Sequence, residues 1–451
     1  MIIFTTVTTF FTSKHAYGKM GKYLTALSVF INLAILLAFK YFGFFVENFR
    51  LMLMSFGFDV NKVMIEVVLP VGISFYTFQC IAYSIDVQKK RIKPCTQLLA
   101  FSTFVAYFPQ LVAGPIERAS QLLRQLMCQR KWDYEYAVTG LRMVLFGVMK
   151  KVCVADMLAL YSDRAFENVS NPIVAVFAGV LFTLQIYFDF SAYSEIARGV
   201  SRMLGIELMA NFCFPYFSRN VLEFWRRWHI SLMLWFRDYV YIPMGGSLKG
   251  NCRTIFNVIV VFILSGLWHG AAWNFVAWGV FWAIIYVVGK MLIKLPKHNE
   301  PIRFAHLPQM VLTLSVVTFG FYIFRCTDWQ QISCGFKSIF HYAMFFCVCW
   351  LAAKLIVFVR EHWLRLFNAM VSMCCIMAIA LIICKWQSLL NLWWIAVALI
   401  VVAMEWKNRN CNYAVCEVST RRWVRCMFYW ICILCVLLSE PLDMGFIYFQ
   451  F

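Results

Sequence analysis

The sequence predicts an all-α, multi-pass integral membrane protein, built as one domain over residues 1–451. Three observations carry this. Hydrophobic residues make up 62% of the chain and charged residues only 14%, whereas a soluble domain is nearer half apolar and a quarter charged. Apolar segments of spanning length follow one another, which excludes a soluble enzyme carrying a single anchor. Lys and Arg gather between those segments, as they do in cytoplasmic loops. The net charge of +19 is therefore a topology signal and does not point to nucleic acid as a partner. The 18 cysteines are scattered through apolar runs without zinc or disulfide spacing. They read as small packing residues.

The first residues, MIIFTTVTTFF, form an apolar piece too short to span, with no cleavable signal sequence. Lys14, Lys19 and Lys22 precede the first span, Tyr23 to Val46. A second apolar stretch, Val63 to Ile85, contains Pro70 and Gly72 and runs into Lys89, Lys90, Arg91 and Lys93. In the third, LLAFSTFVAYFPQLVAGPIER, Pro109 and Gly114-Pro115 interrupt the helical pattern. It is either a re-entrant, cavity-lining segment or a kinked helix. A basic connector, Arg118 to Lys131, leads to helices over Ala137 to Leu160 and Pro172 to Tyr193. On the latter, Gln185, Asp189 and Tyr193 share one face. They form either a polar stripe joining helices or a cavity wall with a buried carboxylate.

Residues Val221 to Tyr239 map onto an amphipathic helix of interfacial type. One arc holds Glu223, Arg226, Arg227, Ser231 and Asp238, with Glu223 and Arg227 spaced to pair. The other is aromatic and includes His229, which should therefore point into the protein; the alternative is a structural hydrogen bond. YIPMGGSLKG reads as a plain loop. Beyond the central stretch come a basic linker, Lys290 to Arg303, and spans near Met310 to Phe324, Tyr342 to Val359, Asn368 to Cys384, Leu389 to Met404 and Met427 to Leu438. The pattern predicts about ten to twelve crossings.

The chain is organised around Ile255 to Gly289, which contains no Lys, Arg, Asp or Glu. It is about 35 residues long, where one crossing needs about 20. It should form two apolar helices, or one helix and a re-entrant piece, with the break between Ser265-Gly266 and Gly270. Its few polar side chains include Asn257, Ser265, His269 and Asn274. A titratable group in such a segment marks a functional site by default. The competing reading of His269 is a packing histidine bonded to a carbonyl.

Five motifs then resemble a known family: GISFYTF (72–78), YFPQLVAGPIER (107–118), YFDFSAYSEIARG (187–199), FWRRWHISLMLWFRDYVYIPMGG (224–246) and SGLWHGAAWNFVAWG (265–279). Together they are similar to the membrane-bound O-acyltransferases, in the bacterial alginate O-acetyltransferase-like branch, and more distantly to teichoic-acid D-alanyl transferases. The terminal FIYFQF (446–451) is similar to the end of that branch. The resemblance implies helices around a central funnel. It implies that His269, in the WHG motif, is the catalytic histidine and that His229, in RRWHISL, is the second recurrent histidine. Asp238 sits where the family has an acidic residue. Members of this branch carry more apolar sequence ahead of the region matching Phe39 to Phe45.

The resulting expectation is acyl transfer in a cell (inner) membrane. A cytoplasmic thioester, acetyl-CoA or an acyl carrier protein, gives its acyl group to a hydroxyl of an extracytoplasmic polysaccharide, through a periplasmic partner by analogy of branch. Neutral histidine suits the proton work, and indole N–H groups, that of Trp268 among them, are expected to help orient a substrate. Asp238, Asp189 and Asn257 are the other candidate substrate-binding residues. No bound cofactor and no metal is expected, because a thioester is already activated. The other readings are D-alanyl transfer to a cell-wall polymer, a polymer or lipid transporter, and a non-catalytic export scaffold. A transporter often shows an internal repeat, and none is found.

Overall fold

The computed structural model describes residues 1–17, 20–58, 70–169, 171–293, 300–362, 393–409, 422–439 and 445–446. Every regular element among them is helical. Six are long and apolar enough to cross a bilayer: Gly21–Ser55, Pro172–Met203, Gly250–His269, Trp273–Leu292, Phe304–Arg325 and Ile339–Phe358. Ten to twelve crossings are thus not found among the described residues. The segment expected over Asn368 to Cys384 and most of the terminal hexapeptide lie outside them.

Helix α1 (Ile2–Lys14) turns Thr5, Thr6, Thr9 and Ser13 inward. It meets α2 (Gly21–Ser55) and α3 (Ile73–Gln88) through small polar groups. Asn32 Nδ2 donates to Thr9 Oγ1 at 3.1 Å, and Ser84 Oγ lies 3.2 Å from Ser13 Oγ and 2.9 Å from Ser28 Oγ. Such contacts hold helices together where lipid supplies no hydrophobic drive. Of the apolar stretch Val63 to Ile85, residues 70–85 are described: α3 begins at Ile73, behind Pro70 and Gly72. Nearly every residue of α3 is buried. It is a helix enclosed by protein, inside a stretch that reads as apolar in the sequence.

The Pro109 segment is broken. Helix α4 (Leu98–Val105) gives way to turns closed by Gln110 N to Tyr107 O at 3.2 Å and Gly114 N to Gln110 O at 3.0 Å. Helicity resumes only at α5 (Leu122–Met127), inside the basic connector. Helix α6 (Tyr134–Met149) passes through a π-helical stretch, Lys150–Ala155, into α7 (Asp156–Glu167). The widened turn presents both Lys150 and Lys151 to the interior. Lys150 Nζ lies 2.8 Å from Glu405 and 3.4 Å from Glu195. Lys151 Nζ lies 2.7 Å from both Asp156 and Asp189. These acids come from α7, α8 (Pro172–Met203) and α16 (Trp393–Lys407), so the lysine pair cross-links this half of the molecule.

Short helices α9 (Val221–Arg227) and α10 (Ile230–Phe236) lead to α11 (Gly250–His269) and α12 (Trp273–Leu292). Then follow α13 (Leu307–Arg325), α14 (Trp329–Lys337), α15 (Ile339–His362), α16 and α17 (Arg422–Leu438). The charge-free central stretch is therefore two helices, as its length required. They form a tight hairpin because two glycines face each other's backbone. A Cβ on Gly266 would lie 2.2 Å from Phe275 O, and one on Gly279 2.6 Å from Phe262 O.

The basic connectors share one end of the bundle. Arg91 pairs with Asp86 at 2.9 Å, and Asp86 accepts from Tyr239 Oη at 2.6 Å. Arg118 pairs with Asp238 at 3.1 Å and lies over the Tyr239 ring. Helix α11 starts just beyond this cluster, and its hairpin returns Lys290 to the same end. Cysteines placed at Lys93, Lys131 and Arg303 should therefore all resist an impermeant thiol reagent in intact cells and react after permeabilisation. Efficient labelling of any one from outside overturns the shared cytoplasmic assignment.

Candidate active site

The site begins where one helix was expected and two are found. Between α9 and α10 His229 adopts φ 42° and ψ 53°, a left-handed conformation that a non-glycine residue rarely takes and that clusters at functional sites. Tertiary bonds hold it there. Ile230 N donates to Asn211 O at 2.9 Å, Ser231 Oγ to Asn211 Oδ1 at 2.6 Å, and Cys213 N to Arg227 O at 3.0 Å. A single helical wheel over Val221 to Tyr239 therefore misplaces its polar arc. Glu223 and Ser231 are buried, not wet. The Glu223–Arg227 pair does form, at 2.9 Å, and Arg219 closes on the same carboxylate at 3.0 Å.

His229 points inward, as the aromatic arc predicted. It is 1% exposed, with its ring centroid 4.8 Å from Phe190 and 5.9 Å from Trp268. Burial lowers its pKa to about 3, so the ring is neutral at physiological pH.

His269 is the last residue of α11. The break follows it, at Gly270 to Ala272, and Ser265-Gly266 stays helical. Its ring packs edge-on against Trp268 at 4.9 Å, Phe324 at 5.1 Å and Trp278 at 5.4 Å. Asn274 Nδ2 donates to Phe324 O at 2.7 Å and so ties the start of α12 to the end of α13 beside the imidazole. His269 is half-buried, unlike His229. Trp268 touches both imidazoles and is itself buried against Phe75 and Phe78. The end of α11 is also gripped from α2: Lys40 Nζ donates to Trp268 O at 2.7 Å and His269 O at 2.8 Å, and Tyr41 Oη to Leu267 O at 2.6 Å.

A basic cavity of about 1060 Å³ lies on the connector side, lined by Arg124, Arg130, Lys131, Arg198, Arg202 and Glu207 among others. Glu207 is paired with Arg198 at 3.1 Å and Arg202 at 3.0 Å, so five lining cations face a single carboxylate. Met209 and Ala210 form part of its wall, and the next residue, Asn211, holds the start of α10 below His229. Glu117, buried beside this wall, accepts from Met209 N, and burial raises its carboxyl to about 7.

Residues 87–327, more than half of the chain, match the model of the membrane-bound O-acyltransferase family. The chain belongs to that family. It is similar to a probable alginate O-acetylase, AlgI, of Pseudomonas putida, at 37% identity over 321 residues, 70% of this chain and 64% of that protein. It is similar to a peptidoglycan O-acetyltransferase of Helicobacter pylori, at 32% identity over 69% of this chain and 62% of that protein. It also resembles a teichoic acid D-alanyltransferase of Bacillus subtilis, at 28% identity over 56% of this chain and 68% of that protein. The chain spans under two thirds of the length of the alginate O-acetylases it matches.

Of the candidate residues, this O-acyltransferase-family fold brings together His229, Trp268 and His269. It places the other three elsewhere. Asn257 is 0% exposed and donates to Gly246 O at 2.9 Å, so it anchors the 241–250 loop. It lies twelve residues before His269, about 18 Å along the helix at 1.5 Å per residue. Asp189 neighbours Phe190 but turns about 100° away from His229, to Lys151. It is a buried carboxylate in an ion pair. Asp238 bridges Arg118 and Arg237, the latter at 2.7 Å, on the connector face. Sequence reasoning missed Lys40, Tyr41 and the basic cavity. The available signal for the first was a lone lysine inside an otherwise uncharged run of the first span.

Proposed function

We propose that this chain moves an acyl group, acetyl in the simplest case, from a thioester donor on its basic face to a hydroxyl acceptor on the other side of the membrane. The acceptor is an extracytoplasmic polysaccharide, or a partner protein that passes the group on, and the membrane is the inner one. The observation that carries this reading is the half-buried His269 at the end of α11, sharing the Trp268 indole with a neutral, fully buried His229.

The acceptor hydroxyl gives its proton to the His269 imidazole as its oxygen attacks the thioester carbonyl. The tetrahedral intermediate collapses with cleavage of the carbon–sulfur bond. The thiolate leaves and takes the proton back from the imidazolium, and the ester remains on the acceptor. His229 acts through Trp268 as a positioning residue. The excess cations of the basic cavity suit the phosphates of a coenzyme A or phosphopantetheine thioester. The names of the relatives support acyl transfer to cell-surface polymers, and two of the three name acetyl transfer.

The test is to give membranes containing the chain and its native polymer either labelled acetyl-CoA or a labelled D-alanyl carrier protein. Base-labile acetyl ester on the polymer is the expected result. Label from the carrier protein alone would replace acetyl by D-alanyl transfer, and label from neither would sink the reading.

A further inference from the structure

A helix end leaves its last four carbonyls without intrahelical donors. In α11 the usual left-handed cap is not formed: Gly270 is extended, at φ −163° and ψ 157°. The donors come instead from α2, more than two hundred residues earlier in the chain. Lys40 takes the carbonyls of Trp268 and His269, and Tyr41 takes that of Leu267. Three consecutive carbonyls, ending with that of His269, are thus held by two adjacent side chains.

Lys40 and Tyr41 close a π-helical turn, Leu37–Tyr41, inside a helix that is otherwise α-helical. Neighbours on an α-helix point about 100° apart. The extra residue of a π turn changes the local winding, and such turns occur often at functional sites. A lysine in a bilayer-length apolar helix is costly and persists where it has a partner and a task. Here the partner is the negative end of the dipole of α11, which an ammonium ion complements.

We infer that Lys40 and Tyr41 form an inter-helix clamp that positions His269 for proton transfer, and that Lys40 is a positioning residue of the reaction. Fixing the carbonyl of His269 fixes the direction in which its side chain leaves the helix. The inference rests on the proposed role of His269, but the clamp itself can be tested without it. A misplacement of about 1 Å in a reacting group costs roughly 10²-fold. The loss should appear in kcat, because neither residue lines the basic cavity.

The experiment uses the full chain in membranes, with Lys40→Met, Lys40→Arg and Tyr41→Phe. Methionine keeps the length and apolar bulk of the lysine but brings no donor. For Lys40→Met we expect normal protein level, faster amide exchange in the peptide covering residues 266–272, and a kcat with labelled acetyl-CoA lowered about 10- to 100-fold at unchanged KM. Lys40→Arg should restore part of both readouts, and Tyr41→Phe should show a smaller loss of both. Unchanged exchange in Lys40→Met overturns the clamp. Faster exchange with wild-type kcat overturns its role in positioning. If the wild-type chain transfers nothing, the proposed reaction fails, and amide exchange still decides whether the clamp exists.

Discussion

Replacing His269 by alanine should leave the protein in the membrane at near-normal level and lower acyl transfer by roughly 10²–10⁴-fold, the range for losing a general base. The accepting hydroxyl is a poor nucleophile until a base takes its proton. His269 is half-buried, whereas His229 is fully buried against Phe190 and Trp268. The hairpin that carries His269 is held by Gly266, Gly279 and the Asn274 bond, none of which the substitution removes. His269→Gln should do little better than alanine, since an amide keeps hydrogen bonds but not basicity. Arg226 is exposed on the outer side of α9, so Arg226→Ala should transfer normally and serve as the control. Near wild-type transfer in the glutamine variant would make His269 a structural residue. An acyl group trapped on His269 would instead indicate covalent catalysis by the same residue.

Lys150→Met should destabilise the protein by about 3–5 kcal/mol, the cost of removing one partner from a buried ion pair. Lys150 is 0% exposed and faces Glu405 at 2.8 Å, itself 3% exposed, and Glu195 at 3.4 Å. Tyr187 Oη also donates to Glu405, at 2.8 Å. With the ammonium gone, two acidic side chains remain in a low-dielectric interior without their shared cation, and the Tyr187 hydroxyl, which donates to Glu405, brings no charge to replace it. Glu195→Gln keeps the Lys150–Glu405 pair and should cost far less. Unfolding in detergent, followed by denaturant or temperature, reads both. A Lys150→Met variant within about 1 kcal/mol of wild type would show that this cluster does not hold α6, α8 and α16 together.

The parts of the fold legible in the sequence were those set by local rules. A charge-free stretch too long for one crossing had to contain two helices, and it does. The i, i+4 spacing gave the Glu223–Arg227 pair, and the aromatic arc gave the inward direction of His229. What could not be read was set by partners distant in sequence. No Gly or Pro marks the break at His229; the bonds from Asn211 impose it. Ser265-Gly266 resembled a breaker, yet Gly266 is helical and serves close packing against Phe275. Among the described residues six helices are long and apolar enough to cross a bilayer, and α3, inside an apolar stretch of the sequence, is enclosed by protein. Asn257, Asp189 and Asp238 were polar residues in suggestive places. Each is taken up by a loop carbonyl, a lysine or an arginine outside the histidine site.

The most direct test of acyl transfer through this site uses sealed membrane vesicles with the basic connectors facing outward and the acceptor polymer enclosed. Labelled acetyl-CoA is supplied outside only. The wild-type chain should place label on the enclosed polymer as a base-labile ester, and His269→Gln should reduce that signal at least about 100-fold. Unreacted acetyl-CoA accumulating inside, or equal ester formation by the glutamine variant, would contradict the account.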